Sequence, residues 1–304
     1  MALRIAFFGL PLAALLLESD GHDLVYVGLS RTDAVGVRRA RRRFGERLEE
    51  RPDVQLPQLR ARLVARRPEL VVSWFWTTRL PVELIGVAPL GGVGVHPSLL
   101  PRHRGPDPYF WAIHEGDEQT GVTAHRLEAA YDTGAILGQR RLPIDPTWNA
   151  WNLARALDRP SLALLRETVA TFASGEIPLG RAQIEGEATE APAPSEESME
   201  IDWSATTDAV LRKIRALAPS PGAFFAFEDE IVTVISARAA RAYPRVLLPG
   251  EACATEEGAV VRTGDGAVVL LSGEIDEAPV DAEMLAHLFS GDVADQSRYG
   301  EVHG

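Results

Sequence analysis

Several features are scarce in this 304-residue chain, and each scarcity excludes a class of protein. The single cysteine, Cys253, excludes a disulfide framework and a cysteine-based metal site. The seven histidines are scattered, with no paired spacing on one helix face, so we expect no metal. No apolar run is long enough to span a bilayer. The 31 Lys and Arg residues against 43 Asp and Glu give a net charge of −12, which disfavours nucleic-acid binding.

The apolar N-terminus also lacks the pattern of a signal peptide. Its apolar run is split by Gly9 and Pro11, ends in acidic residues, and is preceded by no basic segment beyond Arg4. A strand, a turn and a helix are the better prediction. We therefore expect a cytoplasmic protein.

Short apolar runs alternate with helical patterns through the first part of the chain. Residues 3–8, 23–29 and 69–74 are typical of buried strands, and helices are predicted between them. This alternation predicts an α/β fold with a doubly wound, mostly parallel sheet over residues 1–180. Ligands bind such sheets at the carboxyl ends of the strands.

The pattern changes beyond residue 180. Residues 181–200 are rich in Glu, Ala, Pro and Thr and have no amphipathic period, which indicates a linker. Short alternating strands and a Gly-Asp-Gly hairpin turn at 264–266 follow. They predict that residues 201–304 form a small, OB-like domain resembling a β-barrel.

The stretch from Gly91 to Leu137 carries the candidate chemistry. An apolar strand ends at His96, a loop with Pro and Arg residues follows, and a second strand leads to a turn with Asp132. A carboxylate near an imidazole orients the ring, sets its tautomer and supports proton transfer. The same pattern permits a buried histidine bonded to a backbone carbonyl, with Asp132 only fixing its turn.

The segments HPSLLPRHRGPDP, GDEQTGVT and DTGAIL resemble the 10-formyltetrahydrofolate-dependent formyltransferase family. That family includes methionyl-tRNA formyltransferases and the enzymes that formylate 4-amino sugars. The resemblance covers nearly the whole chain, because IDWS and LAPSPGAFF are similar to the start of the family's C-terminal domain. It implies that 10-formyltetrahydrofolate binds in the cleft and gives its formyl group to a primary amine.

The resemblance also implies a catalytic set of an Asn, a His two residues later, and the Asp of a D-x-G turn. His96 and Asp132 match the last two members, but Gly94 occupies the Asn position. The family's Asn donates a hydrogen bond to the formyl oxygen, and losing such a donor typically costs about 100- to 1,000-fold in rate. Ser73 or Thr77, a water above Gly94, or a protonated His96 could donate instead.

This departure leaves three functions open. The chain could still transfer formyl through a rebuilt oxyanion site, it could catalyse a related reaction such as hydrolysis of formyl-folate, or it could be a non-catalytic ligand-binding paralogue. The only asparagines, Asn149 and Asn152, lie too far along the chain to be good replacements. Turnover that appears only in a Gly94→Asn variant would indicate the non-catalytic paralogue.

The resemblance implies that backbone groups of two segments hold most of the folate. The predicted folate-binding residues are Ser73, Trp74, Phe75, Trp76, Ala129, Ala130, Tyr131 and Gly134. An aromatic ring in this place could stack on a pterin, and the alternative is that it packs in the core. Arg102 and Arg104 are predicted to meet an anionic substrate beside His96. Their alternative role is a loop salt bridge to Asp107 or Glu115.

Charge favours a small-molecule amine over tRNA as the acceptor. Residues 201–304 contain 8 Lys or Arg and 17 Asp or Glu, a net charge of −9 that would repel RNA. The sequence around His125 and Arg126 resembles the amino-sugar formyltransferases more closely. The basic run at 38–47 indicates either a solvated helix face or a phosphate site. No membrane partner is expected, and a homodimer is left open.

Overall fold

The computed structural model describes residues 1–290, so the end of the predicted 201–304 domain lies outside the described residues. The chain divides into two compact units. The first contains residues 1–108, 119–144 and 154–193, and the second contains residues 109–118, 145–153 and the chain from 194 onward. Within residues 1–290, no helix combines the length and the apolar character needed to cross a membrane.

The first unit is built on a seven-stranded sheet with the strand order β3-β2-β1-β4-β5-β6-β7. The strands are β1 (Arg4–Gly9), β2 (Asp23–Leu29), β3 (Leu48–Glu50), β4 (Leu70–Trp74), β5 (Gly92–His96), β6 (Gln119–Arg126) and β7 (Ile136–Pro143). Strands β1 to β5 pair in parallel, and β6 and β7 add antiparallel strands at one edge. The predicted doubly wound, mostly parallel sheet is confirmed.

Helices connect these strands. They are α1 (Pro11–Ser19), α2 (Val37–Phe44), α3 (Pro57–Arg66), α4 (Val82–Ile85), α5 (Pro108–His114) and α6 (Ala150–Ala173). Proline opens α1 and α3 at a position where its missing N–H costs no helical hydrogen bond. Helix α3 ends because Arg67 adopts a left-handed conformation just before Pro68.

The central strands of this sheet are buried on both faces, which explains why they read as continuous apolar runs. Ile5, Phe7 and Val71 are fully buried. At the carboxyl end of β1, a Cβ on Gly9 would lie 1.8 Å from the carbonyl oxygen of Trp74. Only glycine therefore lets the ends of β1 and β4 approach this closely, next to the edge where a ligand is expected.

The second unit contains a six-stranded antiparallel sheet with the order β10-β11-β12-β9-β8, and β13 pairs with β12. Its strands are β8 (Ala223–Phe227), β9 (Glu230–Ala239), β10 (Ala252–Thr255), β11 (Gly258–Arg262), β12 (Ala267–Ile275) and β13 (Ala278–Asp281). Its further helices are α7 (Glu196–Met199), α8 (Thr207–Leu217) and α9 (Ala282–Leu288). The prediction of a second domain built mainly of short β-strands is therefore confirmed, and its strands form an antiparallel sheet.

Most of the predicted linker is bonded to the first unit. The backbone N–H of Arg104 donates to the carbonyl of Thr189 at 2.8 Å, and the N–H of Ala191 donates back to Arg104 at 2.6 Å. Arg181 pairs with Ile136 in the same way. The unit boundary accordingly falls at residue 193 rather than at 180.

Candidate active site

The predicted imidazole–carboxylate pair is brought together in the first unit. His96 is the last residue of β5, and Asp132 lies in the turn after β6. His96 Nδ1 is 3.3 Å from Asp132 Oδ2, and the two side chains are 7% and 16% exposed. The pair thus lies at the carboxyl-end edge of the parallel strands, where ligands bind sheets of this kind.

Backbone groups fix both members of the pair. His96 Nε2 is 2.7 Å from the carbonyl oxygen of His103, which only accepts, so Nε2 carries a proton. Asp132 Oδ2 accepts from the backbone N–H of Gly105 at 3.0 Å. Asp132 has a left-handed φ of 55°, and Gln183 Nε2 donates to its carbonyl at 2.6 Å. Such strain persists only where the surroundings hold it, and it is frequent at functional sites.

A second imidazole, absent from the predicted site, contacts the same carboxylate. His125 Nε2 lies 3.4 Å from Asp132 Oδ1, and the His125 side chain is only 4% exposed. Its Nδ1 is 2.9 Å from the carbonyl oxygen of Arg126. Burial lowers the pKa of His125 from its ordinary value, against an opposing upward effect of Asp132.

The space above Gly94 is occupied by side chains. Gly94 is directly opposite His125 in the antiparallel pairing of β5 and β6. A Cβ on Gly94 would lie 3.0 Å from Leu127 Cδ2 and 3.4 Å from His125 Nε2. The water suggested for this space stays a prediction. On the other side, Ser73 of β4 is in register with Gly94, so Ser73 remains a candidate oxyanion donor.

A small pocket of about 80 Å³ opens beside this centre. Its lining includes Ser73, Trp76, His125, Ala130, Tyr131 and Asp132. The indole Nε1 of Trp76 is buried and has no hydrogen-bond partner within residues 1–290. A buried donor without a partner suggests that a ligand supplies one. A ring face and a donor in one small pocket suit a flat heteroaromatic ligand such as a pterin.

Other predicted folate-binding residues have contacts within the protein, and their role in folate binding stays a prediction. Trp74 is buried in the core, and its Nε1 donates to Ser161 Oγ at 2.7 Å. Phe75 packs its ring edge-on against Trp74, with 4.6 Å between centroids. The carbonyl of Ala129 accepts from Arg79 at 3.2 Å. A Cβ on Gly134 would lie 2.0 Å from the carbonyl oxygen of Arg126, so glycine serves the turn itself.

The two predicted substrate arginines differ in their surroundings. The side chain of Arg104 is 4% exposed, and its guanidinium binds both carboxylate oxygens of Glu185 at 2.9 Å and also Gln183. This pairing raises the pKa of Arg104 and commits the group within the protein. The geometry does not favour its predicted contact with substrate, and its partner is neither Asp107 nor Glu115. Arg102 is exposed, so its substrate role stays a prediction.

The basic run at 38–47 forms most of helix α2. Two of its arginines are paired on the surface, Arg41 with Glu50 and Arg43 with Glu18. Arg38, Arg39 and Arg42 line a shallow surface pocket near the start of the helix. Both the solvated face and the phosphate site therefore stay predictions for this segment.

Comparison with known proteins identifies the class. Residues 32–169 match the family "Formyl transferase", and residues 193–287 match "Formyl transferase, C-terminal domain". A methionyl-tRNA formyltransferase from Roseiflexus castenholzii is 34% identical over 284 residues, covering 89% of this chain and 90% of the relative. The chain belongs to the formyltransferase family. The one-carbon donor of that family is 10-formyltetrahydrofolate.

Solved structures share the fold. HypX from Aquifex aeolicus in complex with tetrahydrofolic acid matches with a TM-score of 0.68 at 21% identity. That match covers 96% of this chain but 48% of the other, so this chain spans about half of the HypX chain. WlaRD, a sugar 3N-formyl transferase, matches with a TM-score of 0.66 at 13% identity and covers 91% and 98% of the two chains. At these identities the structures support the fold alone.

Proposed function

We propose that this chain transfers the formyl group of 10-formyltetrahydrofolate to the amine of a small molecule such as an amino sugar. The observation that carries the proposal is the buried His96–Asp132 pair, whose carboxylate member Asp132 lines a pocket with a free indole donor. Trp76 would contact the pterin, and Ser73 and Ala130 would line the same pocket. The folate supplies the formyl group, and the protein supplies orientation and proton transfer.

The chemical requirement is simple. An amine attacks the formyl carbon, negative charge collects on the formyl oxygen, and a proton moves from the amine to the departing folate nitrogen. Ser73 has a hydroxyl at the level of Gly94 and lines the pocket, so it is our proposed donor to the developing oxyanion. The imidazoles of His96 and His125 on either side of Asp132 are groups of the kind that carry such a proton.

Two observations point to different acceptors. Residues 201–304 have a net charge of −9, from 8 basic and 17 acidic residues, which opposes binding of tRNA. The relative from Roseiflexus castenholzii is, however, a methionyl-tRNA formyltransferase at 34% identity. We give more weight to charge, because a polyanion must be met by basic surface whatever the ancestry. Transfer to methionyl-tRNA is the second candidate.

The test is release of tetrahydrofolate from 10-formyltetrahydrofolate with a panel of nucleotide-linked amino sugars, amino acids and methionyl-tRNA. We expect release that requires a small amine, with mass spectrometry finding one added formyl group on that amine. Release that needs methionyl-tRNA would replace the proposed acceptor. Formate released without any amine would indicate a hydrolase, and tetrahydrofolate binding without turnover would indicate a non-catalytic binder.

A further inference from the structure

Two buried imidazoles flank one carboxylate in this centre. Asp132 Oδ2 is 3.3 Å from Nδ1 of His96, and Asp132 Oδ1 is 3.4 Å from Nε2 of His125. The two histidines come from adjacent strands, β5 and β6, and the aspartate comes from the turn that follows β6. Each carboxylate oxygen therefore has its own imidazole.

The outer nitrogen of each imidazole is fixed by the backbone. His96 Nε2 donates to the carbonyl of His103, and His125 Nδ1 donates to the carbonyl of Arg126. In its neutral form His125 thus keeps a lone pair on Nε2. Burial lowers the pKa of His125, so the neutral form prevails at neutral pH. This ring is consequently prepared to accept a proton, with the Asp132 carboxylate beside the atom that becomes positive.

His125 also lies beside the place from which a side chain is missing. A Cβ on Gly94 would lie 3.4 Å from His125 Nε2. Gly94 and His125 are opposite each other in the sheet, and His125 and Asp132 both line the pocket. Nε2 of His125 therefore lies next to the position of the Asn that the family resemblance implies.

We propose that His125 is a catalytic residue whose Nε2 carries the transferred proton. The amine nitrogen forms its bond to the formyl carbon and gives its proton to Nε2. Asp132 stabilises the resulting imidazolium, which also lies beside the oxyanion. Nε2 then returns the proton to the folate nitrogen as the carbon–nitrogen bond to the folate breaks. The inference rests on the proposed formyl transfer, and it assigns the proton to an imidazole because an amide forms hydrogen bonds but cannot carry a proton at neutral pH.

The glutamine variant separates these two roles. In His125→Gln the amide can still donate a hydrogen bond near the position of Nε2, but it cannot carry a proton at neutral pH. We expect kcat with the best amine of the panel to fall by about 100-fold or more, the usual size of general acid–base catalysis. The Kd for tetrahydrofolate, measured by calorimetry, should stay within about 3-fold of the wild-type value. His22→Gln is the matched control, because His22 is also buried but lies outside the pocket.

The pH profile adds a readout that a structural role would not move. We expect kcat/KM of the wild type to fall at acid pH, because His125 becomes protonated there. Burial lowers the pKa of His125, so this fall should occur at a pH below the ordinary pKa of histidine. In a plot of log kcat/KM against pH, the acid side of the His125→Gln profile should have a slope smaller by one, because one protonation is lost. Asp132 and His96 face His125 directly, and Arg79, Glu128 and Tyr131 line the same pocket. Their contributions remain in both profiles.

Nitrogen NMR of labelled histidine supplies a measurement independent of turnover. We expect His125 in the wild type to show a protonated Nδ1 and an unprotonated Nε2 at neutral pH, and Asp132→Asn to lower its pKa further. A protonated Nε2, or a pKa that ignores Asp132→Asn, would overturn the inference. A His125→Gln variant that turns over at the wild-type rate would overturn the catalytic role of His125 while leaving the proposed formyl transfer intact. A wild type that turns over with no amine would refute the proposed function, and the catalytic role of His125 with it.

Discussion

Restoring the family's asparagine at position 94 should damage this protein rather than improve it. The Cβ alone would lie 3.0 Å from Leu127 Cδ2, which is tighter than ordinary van der Waals contact. It would lie 3.4 Å from His125 Nε2, at the lower edge of ordinary contact. The remaining atoms of an Asn side chain would have to fit among these same neighbours. Leu127 has a flexible end that can move, but His125 is anchored by its bond to the carbonyl of Arg126.

The expected cost follows from overpacking a buried site. Inserting atoms into a packed core typically costs about 1–3 kcal/mol. For a unit of this size, each kcal/mol lowers Tm by about 2–4 °C, so Gly94→Asn should melt roughly 2–12 °C below the wild type. Gly94→Ala should melt between the two, because it adds only the first atom.

The assay combines thermal unfolding with folate turnover in a double-mutant cycle. We expect Gly94→Asn and His125→Ala each to lower stability, and the double variant to lose less than the sum, by about 0.5 kcal/mol or more. The pair couples because removing the imidazole opens the space that the amide needs. A single Gly94→Asn variant as stable as the wild type, with equal or higher turnover, would refute this view of the site.

Three further predictions concern neighbouring residues. Trp76→Phe should weaken tetrahydrofolate binding about 2- to 10-fold through the loss of one hydrogen-bond donor. Trp74→Phe loses the hydrogen bond to Ser161, so it should lower Tm and leave the Kd for tetrahydrofolate unchanged. A weaker Kd in Trp74→Phe and a lower Tm in Trp76→Phe would mean that Trp74 contacts the folate and Trp76 stabilises the fold. Arg104→Met should destabilise the protein by about 1–3 kcal/mol without raising the KM of the acceptor, because the arginine binds Glu185 and Gln183. A raised KM with normal stability would restore its role in substrate binding.

Local patterns in the sequence were enough to predict the sheet and the proximity of His96 to Asp132. Apolar runs alternating with helical patterns predicted the parallel strands, and a histidine at a strand end predicted its nearness to a carboxylate turn. Both depend on short stretches of chain and on a general rule about the ends of parallel strands.

Contacts that depend on register or on distant segments could not be predicted. His125 meets Gly94 only through the pairing of β5 with β6, and the long loop between these strands leaves the register undetermined. Its one signal was the missing side chain at Gly94, which requires some neighbour to fill the gap. Arg104 pairs with Glu185, which lies 81 positions further along the chain, so no pattern in the nearby sequence predicts that Arg104 is buried.

The most direct test of formyl transfer through this centre follows a carbon label. The wild type and Asp132→Asn would each receive 10-formyltetrahydrofolate labelled with ¹³C in the formyl group, together with the amine panel. We predict a labelled formamide on one small amine with the wild type, and a loss of about 100-fold or more with the variant. Label found only in formate, or equal labelling by both proteins, would contradict the account.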